Sequence, residues 1–165
     1  MKKFLRILSI TIFVISIISC SSKKEDTIGG LNKLKWGSDI PTVKSYLEKD
    51  INAKYDYYDM NSTSGVLSLR FTGSSFNNIP VKNWTFDILK GGLIGYEIQF
   101  ADSSSTEQNY NILSSFIIDK IGEPDNKSDS RMSWSRVNSE KKYKEKITLR
   151  KYKNEITLKV EKTNG

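Results

Sequence analysis

One thiol and no imidazole set the side-chain chemistry open to this 165-residue chain: Cys20 is its single cysteine, and histidine is absent. Without histidine, Ser-His and Cys-His nucleophile activation falls away, as does every histidine-based zinc site. Cys20 sits in VISIISCSSKKED, Val14 to Asp26, where an apolar run meets a polar one. Once its sulfur carries a substituent no thiol remains, so the rest of the chain holds no disulfide and performs no thiol redox chemistry.

Other patterns that could do chemistry have plainer explanations. Ser139-Glu140-Lys141-Lys142 matches Ser-x-x-Lys, which can place a nucleophile beside its base on a helix. It falls in a charged loop between strand-like runs, and Ser21 to Lys24 matches as well, so the motif is cheap in a chain this rich in serine and lysine. Asp87, Glu97 and Asp102 lie near one hairpin and form the acid-base set a carboxylate-dependent hydrolase would need. The alternation of that hairpin points Asp87 and Glu97 toward water, where they solubilise. DNKSDS, Asp125 to Ser130, lacks the ligands and glycine of a calcium loop. No metal and no cofactor are expected.

Aromatic and basic side chains are the binding candidates. Trp84 faces the apolar side of its strand. Trp36 precedes a glycine at a helix entry, where it can close the core or meet a partner. Tyr55, Tyr57 and Tyr58 alternate, so rings fall on both faces of their strand, and Tyr58 marks a recognition surface. The run Glu140 to Lys153 has a basic outer face, with Tyr143 and Tyr152 among its lysines. Arg150, and Lys159 on the following strand, point outward with it. Such a face could meet anionic headgroups, lipopolysaccharide or a cell-wall polymer, each cation contributing ~1 kcal/mol near an anionic surface.

The elements that position these residues follow from spacing. Ser38 or Asp39 can cap a helix from about Pro41 to Lys49, with Val43, Tyr46, Leu47 and Ile51 on one face. Ala53 to Met60 and Val66 to Phe71 alternate as strands around NSTSG, with Leu67, Leu69 and Phe71 inward. Asn83 to Phe100 is a hairpin. A three-residue loop, Gly91 to Leu93, pairs Trp84 with Phe100, Phe86 with Ile98 and Ile88 with Tyr96, keeping the apolar sets on one face. Ser103 to Pro124 is a helix, with a capping box at Ser104 and Glu107 or Ser105 and Gln108. Its stripe is Tyr110, Leu113, Ile117 and Ile121, widened by Ile112 and Phe116, and it stops at Gly122. Arg131 to Val137 is a strand. Lys146 to Val160 closes as a hairpin with Leu149 opposite Leu158 and Ile147 opposite Val160.

The order helix, four strands, helix, three strands predicts an α+β fold: one antiparallel sheet with two helices on one face, built from two successive copies of one unit. In WGSDIPTVKSYL the start resembles small outer-membrane-assembly lipoproteins, and the repeat resembles β-lactamase-inhibitor-like modules. Gly37 and Val43 fit the former pattern, whereas Gly122-Glu123-Pro124 follows the second helix. No binding residue carries over.

Residues 1 to 19 read as an export signal. Lys2, Lys3 and Arg6 precede an apolar run, Ile7 to Ile18, too short for the ~20 residues a stable span needs. Ile17-Ile18-Ser19-Cys20 resembles the lipobox of bacterial lipoproteins. That resemblance implies a diacylglycerol thioether on Cys20, cleavage before it, and acylation of the new amino terminus. Two or more chains hold a protein on a membrane at ~0.8 kcal/mol per buried methylene. Residues 20 to 30 then form a polar tether of roughly 30 Å reach at ~3.3 Å per residue. Ser21, rather than an aspartate, implies the outer membrane if the source has two membranes.

Residues 31 to 165 remain as a single domain. Without the three signal cations the charge balance is 23 basic against 19 acidic residues, +4, which argues against nucleic acid as a partner. The expectation is a lipid-anchored envelope protein with a non-catalytic binding or scaffolding domain, whose partner is an envelope protein or an anionic polymer. An inhibitor or assembly partner acting through an exposed aromatic sheet face is the alternative.

Overall fold

The computed structural model describes residues 34–138 and 142–164; Cys20, the signal, the tether and Ser139 lie outside them. Among these residues two helices accompany nine strands, all paired antiparallel. The strands are β1 (Lys54–Asn61), β2 (Val66–Thr72), β3 (Ser75–Phe76), β4 (Ile79–Leu89), β5 (Gly92–Phe100), β6 (Asn126–Ser128), β7 (Arg131–Asn138), β8 (Tyr143–Tyr152) and β9 (Glu155–Asn164). The sheet runs β1-β2-β4-β5-β9-β8-β7-β6, with β3 paired only to β4. Both meanders end on their last strand, so β5 and β9 meet at the centre. The two-residue β3 and three-residue β6 raise the strand counts to five and four, because such short pieces leave no periodicity to read.

The first helix departs from a plain α-helix. Asp39 caps α1 (Ile40–Ser45) by accepting from the Thr42 N–H at 3.0 Å, and the chain then widens into a π-helical turn, Tyr46–Asp50. Ile51 N–H donates back to the Tyr46 carbonyl at 3.1 Å. The wider turn seats Val43, Tyr46 and Leu47 in the core together.

The β4–β5 hairpin corrects the expected register. Leu89 pairs with Gly92 around a two-residue turn, Lys90-Gly91, in which both residues have positive φ, 51° and 80°. That is the twist-matched hairpin turn. Trp84 pairs with Ile98 and Phe86 with Tyr96, not with Phe100 and Ile98. The apolar faces still agree because each strand has a bulge: the ladder slips between Asp87 and Ile88, and between Val81 and Asn83. One extra residue reverses side-chain parity, so Leu93 and Tyr96 both point inward, as do Val81 and Trp84.

α2 (Thr106–Ile121) follows β5 and packs on β8 and β9. The expected capping box does not form; Ser105 is the cap residue without a side-chain bond, and the Thr106 hydroxyl donates to the Ser103 carbonyl at 2.6 Å instead. Tyr110, Leu113 and Ile117 are buried, while Ile112 is 41 % exposed and lies off the packed stripe. Gly122, at φ 93°, ends the helix, and its carbonyl accepts from the Trp134 indole at 2.8 Å. The β8–β9 hairpin has the expected register, Leu149 opposite Leu158 and Ile147 opposite Val160.

One core cluster unites the buried residues of both helices with the inward side chains of the sheet. Trp84 is 2 % exposed, its indole bonded to the Gly73 carbonyl at 2.9 Å, and Phe76 and Phe71 form edge contacts around it and Phe86. Burial of such rings stabilises by about 1.5–3 kcal/mol each.

Candidate functional site

The sheet face turned away from the core is built entirely from the alternate positions of its strands, so register alone decides what stands beside what. Across β5, β9, β8 and β7 three rows form. Glu97, Lys159, Thr148 and Ser133 make the middle row; Gly95, Glu161, Lys146 and Ser135 flank it on one side; Gln99, Thr157, Arg150 and Arg131 flank it on the other. A groove of about 400 Å³ runs over them.

Among the described residues, the charges lining the groove from β7 and β8 are all cations, whereas β5 and β9 bring both signs. Lys159 is paired with Glu161 at 2.7 Å, and that hydrogen bond, supported by the fields of Glu161, Glu97 and Asp87, holds the ammonium pKa above the ordinary lysine value against desolvation. Arg131, Lys146 and Arg150 form no ion pair among the described residues. Arg131 and Arg150 stand directly opposite each other in the ladder. Tyr152 extends the same face one step past Arg150, 58 % exposed, with the guanidinium 5.9 Å and the Lys153 ammonium 5.4 Å from its ring centroid.

A second cluster lies on the core side. Glu145 occupies an inward position of β8 between Tyr143 and Ile147 and is 6 % exposed. The Trp36 indole N–H donates to its Oε1 at 2.6 Å, and Arg136 Nη1 lies 3.6 Å from its Oε2. Lys162 faces Glu145 across β9, with its ammonium 5.0 Å from the Tyr143 ring. Trp36 meets Tyr143 edge-on at 6.4 Å. Burial first, and the Glu145 and Tyr46 charges next, push the Tyr96 phenol well above its usual range. A carboxylate held by indole and guanidinium ties Trp36 to the sheet.

The six binding candidates therefore separate into three places. Arg150, Lys159 and Tyr152 share the outer face. Trp36 and Tyr143 meet on the inner one; Tyr143, expected outside, is 6 % exposed because its parity matches Ile147 and Leu149. Tyr58 stands apart on the edge strand β1, 64 % exposed, near Met60 at 61 %. A bulge at Asp56 separates Tyr55, packed on Phe71 at 5.4 Å, from Tyr57, which faces Arg70 on the other side.

Two residues escaped the sequence reading. Glu145 had a signal, since it breaks the apolar alternation Tyr143, Ile147, Leu149. Arg131 had none until pairing set it opposite Arg150.

The remaining chemistry is dispersed. Asp87 accepts from the Ser68 hydroxyl at 2.6 Å and lies diagonal to Glu97 on the outer face, and Asp102 is exposed outside the sheet. The exposed rings of the outer face, Tyr57 on β1 and Tyr152 on β8, are five strands apart, about 24 Å at ~4.8 Å per strand. They form no continuous aromatic patch. Among the described residues no helix is long and apolar enough to cross a membrane, and no group of acidic, cysteine or histidine side chains could hold a metal ion. Compared with known proteins, the chain matches no family model, and no curated protein or solved structure matches it.

Proposed function

We propose that this is a lipid-anchored protein of the cell envelope, in the outer membrane if there are two, whose domain binds a partner without catalysis. The address rests on Ile17-Ile18-Ser19-Cys20 at the end of the apolar run, with the lipid carried on Cys20. The binding half is carried by one observation: the outer sheet face holds a polar groove in which Arg131, Lys146 and Arg150 form no ion pair among the described residues. The helices lie together on the other face in this reading, and the two meanders are copies of one helix-plus-sheet unit. That arrangement leaves a broad surface for a partner. A carboxylate hydrolase would need Asp87 and Glu97 to converge on a cleft, but Asp87 does not line the groove that holds Glu97, and the other carboxylate there, Glu161, is paired with Lys159.

Detergent phase separation tests the anchor. The wild-type protein is expected in the detergent-rich phase of a membrane extract and the Cys20→Ser variant in the aqueous phase; a variant that still partitions with detergent sinks the reading. Cross-linking of the lipidated protein in its native envelope, followed by pulldown, tests the partner half and is expected to recover an envelope component. Recovery of the protein alone at saturating cross-linker counts against it.

A further inference from the structure

We infer that the outer-face groove binds a phosphorylated sugar unit, with Arg131 and Arg150 gripping the phosphate. This rests on the binding half of the proposed function and names its ligand class. Two arginines directly opposed on a sheet are an unfavourable pair in the absence of an anion. Here no carboxylate relieves them among the described residues, although Glu97 and Glu161 stand within the same groove. Lys146, opposite Glu161 in the β8–β9 ladder, lines the same groove and forms no ion pair among the described residues. Guanidinium forks match phosphate oxygens bidentately, and the hydroxyls of Thr148 and Thr157, between the charged side chains, supply further donors at neutral cost.

The rest of the groove suits a sugar rather than a bare anion. At the far end the carboxylates Glu97 and Glu161 accept hydrogen bonds from hydroxyl or amine groups. The distance from β7 to β5 is three strand spacings, about 14 Å at ~4.8 Å each, more than one phosphate needs. Tyr152 presents an exposed ring beside Arg150, an amphipathic surface on which an apolar sugar face can rest. The anchoring bilayer is a poorer match. The chain enters the described fold at Leu34, which is buried, and at Trp36, half-buried against Glu145 on the inner side of the sheet, while the groove opens on the opposite face.

The test uses the full-length lipidated protein in neutral-detergent micelles, titrated calorimetrically with glucose 6-phosphate, inorganic phosphate, glucose and phosphorylated dextran. Saturable binding of glucose 6-phosphate is expected, tighter than that of inorganic phosphate, weakened at least tenfold in the R131Q/R150Q double variant and unchanged in K90Q, a lysine at the β4–β5 turn. The dextran arm separates a free sugar phosphate from a polymer of them, and tighter binding per phosphate by the polymer assigns a chain. Because the double variant removes a like-charge pair, its melting temperature is expected at or above wild type, which separates lost binding from lost fold. Equal binding by the variant, equal binding by glucose, or no binding of either phosphorylated sugar overturns the inference. So does arginine-dependent sedimentation with phosphatidylglycerol vesicles in the absence of sugar phosphate binding, which would give the pair to a lipid headgroup. The Cys20→Ser fractionation reads the anchor independently, so each result can fail alone.

Discussion

The Trp36 indole and the Glu145 carboxylate, 109 residues apart in sequence, meet at 2.6 Å and fasten the entry segment of the fold to strand β8. Removing the carboxylate leaves the half-buried indole without its acceptor, while Arg136, 36 % exposed, can turn to water. Glu145→Ala is expected to cost about 1–3 kcal/mol, and Glu145→Gln about 1 kcal/mol or less, since the amide oxygen can still accept from the indole. Urea unfolding of both variants and of Trp36→Phe, set in a double-mutant cycle, should show a coupling of about 1–2 kcal/mol. Simple additivity would mean the bond contributes nothing.

Gly92 faces the backbone of that same segment. An added Cβ would lie 3.2 Å from the Gly37 Cα and 3.4 Å from its carbonyl oxygen. Gly37 has no room to withdraw, because its N–H donates to the Leu93 carbonyl at 3.0 Å and the Leu93 N–H donates to Ser38 at 2.9 Å. Gly92→Ala should therefore destabilise by about 1–3 kcal/mol, with hydrogen exchange accelerated first at Gly37 and Leu93.

The Tyr96 hydroxyl is buried and finds no hydrogen-bond partner among the described residues. Tyr96→Phe removes an unsatisfied group at nearly constant shape, so it should be neutral or stabilising by about 1 kcal/mol in thermal melts. The phenol also has a pH signature. Its folded pKa is raised above the ordinary 10.0, chiefly by burial, so its contribution is intact below pH 10 and is lost as pH rises toward the folded value, the unfolded chain releasing the proton first. Stability of the wild type should fall above pH 10, and Tyr96→Phe should flatten that limb. Identical alkaline limbs would contradict the burial.

At the acid end the sign reverses. Hydrogen bonds from Thr42 hold Asp39 below its ordinary 3.8. Its contribution is present above that value and fades as pH falls through the folded pKa. Asp39→Asn, which still caps, should keep the neutral-pH melting temperature close to wild type and remove part of the loss below pH 4, whereas Asp39→Ala should melt lower at neutral pH through loss of the cap.

Periodicity made much of this fold legible. The β8–β9 hairpin reads directly from alternation because Ile147, Leu149, Leu158 and Val160 leave one register with a single apolar face. The β4–β5 hairpin does not, because bulges on both strands restore face agreement in a register that alternation alone rejects. The candidate site divides the same way. Arg150, Lys159 and Tyr152 point outward by parity, yet Arg131 acquires meaning only as the partner of Arg150, and Glu145 only under Trp36.

By itself the amino-acid sequence determined the chemistry excluded by absent histidine, the lone thiol of Cys20, the α+β class and the faces of the regular strands, all of which follow from residue type and local period. The tertiary structure alone decided the meeting of β5 with β9, the bulged registers, the buried carboxylate and the opposed arginines. Those are pairings between residues distant in the chain, and the free energy that selects them comes from packing one shared core, which no local window contains.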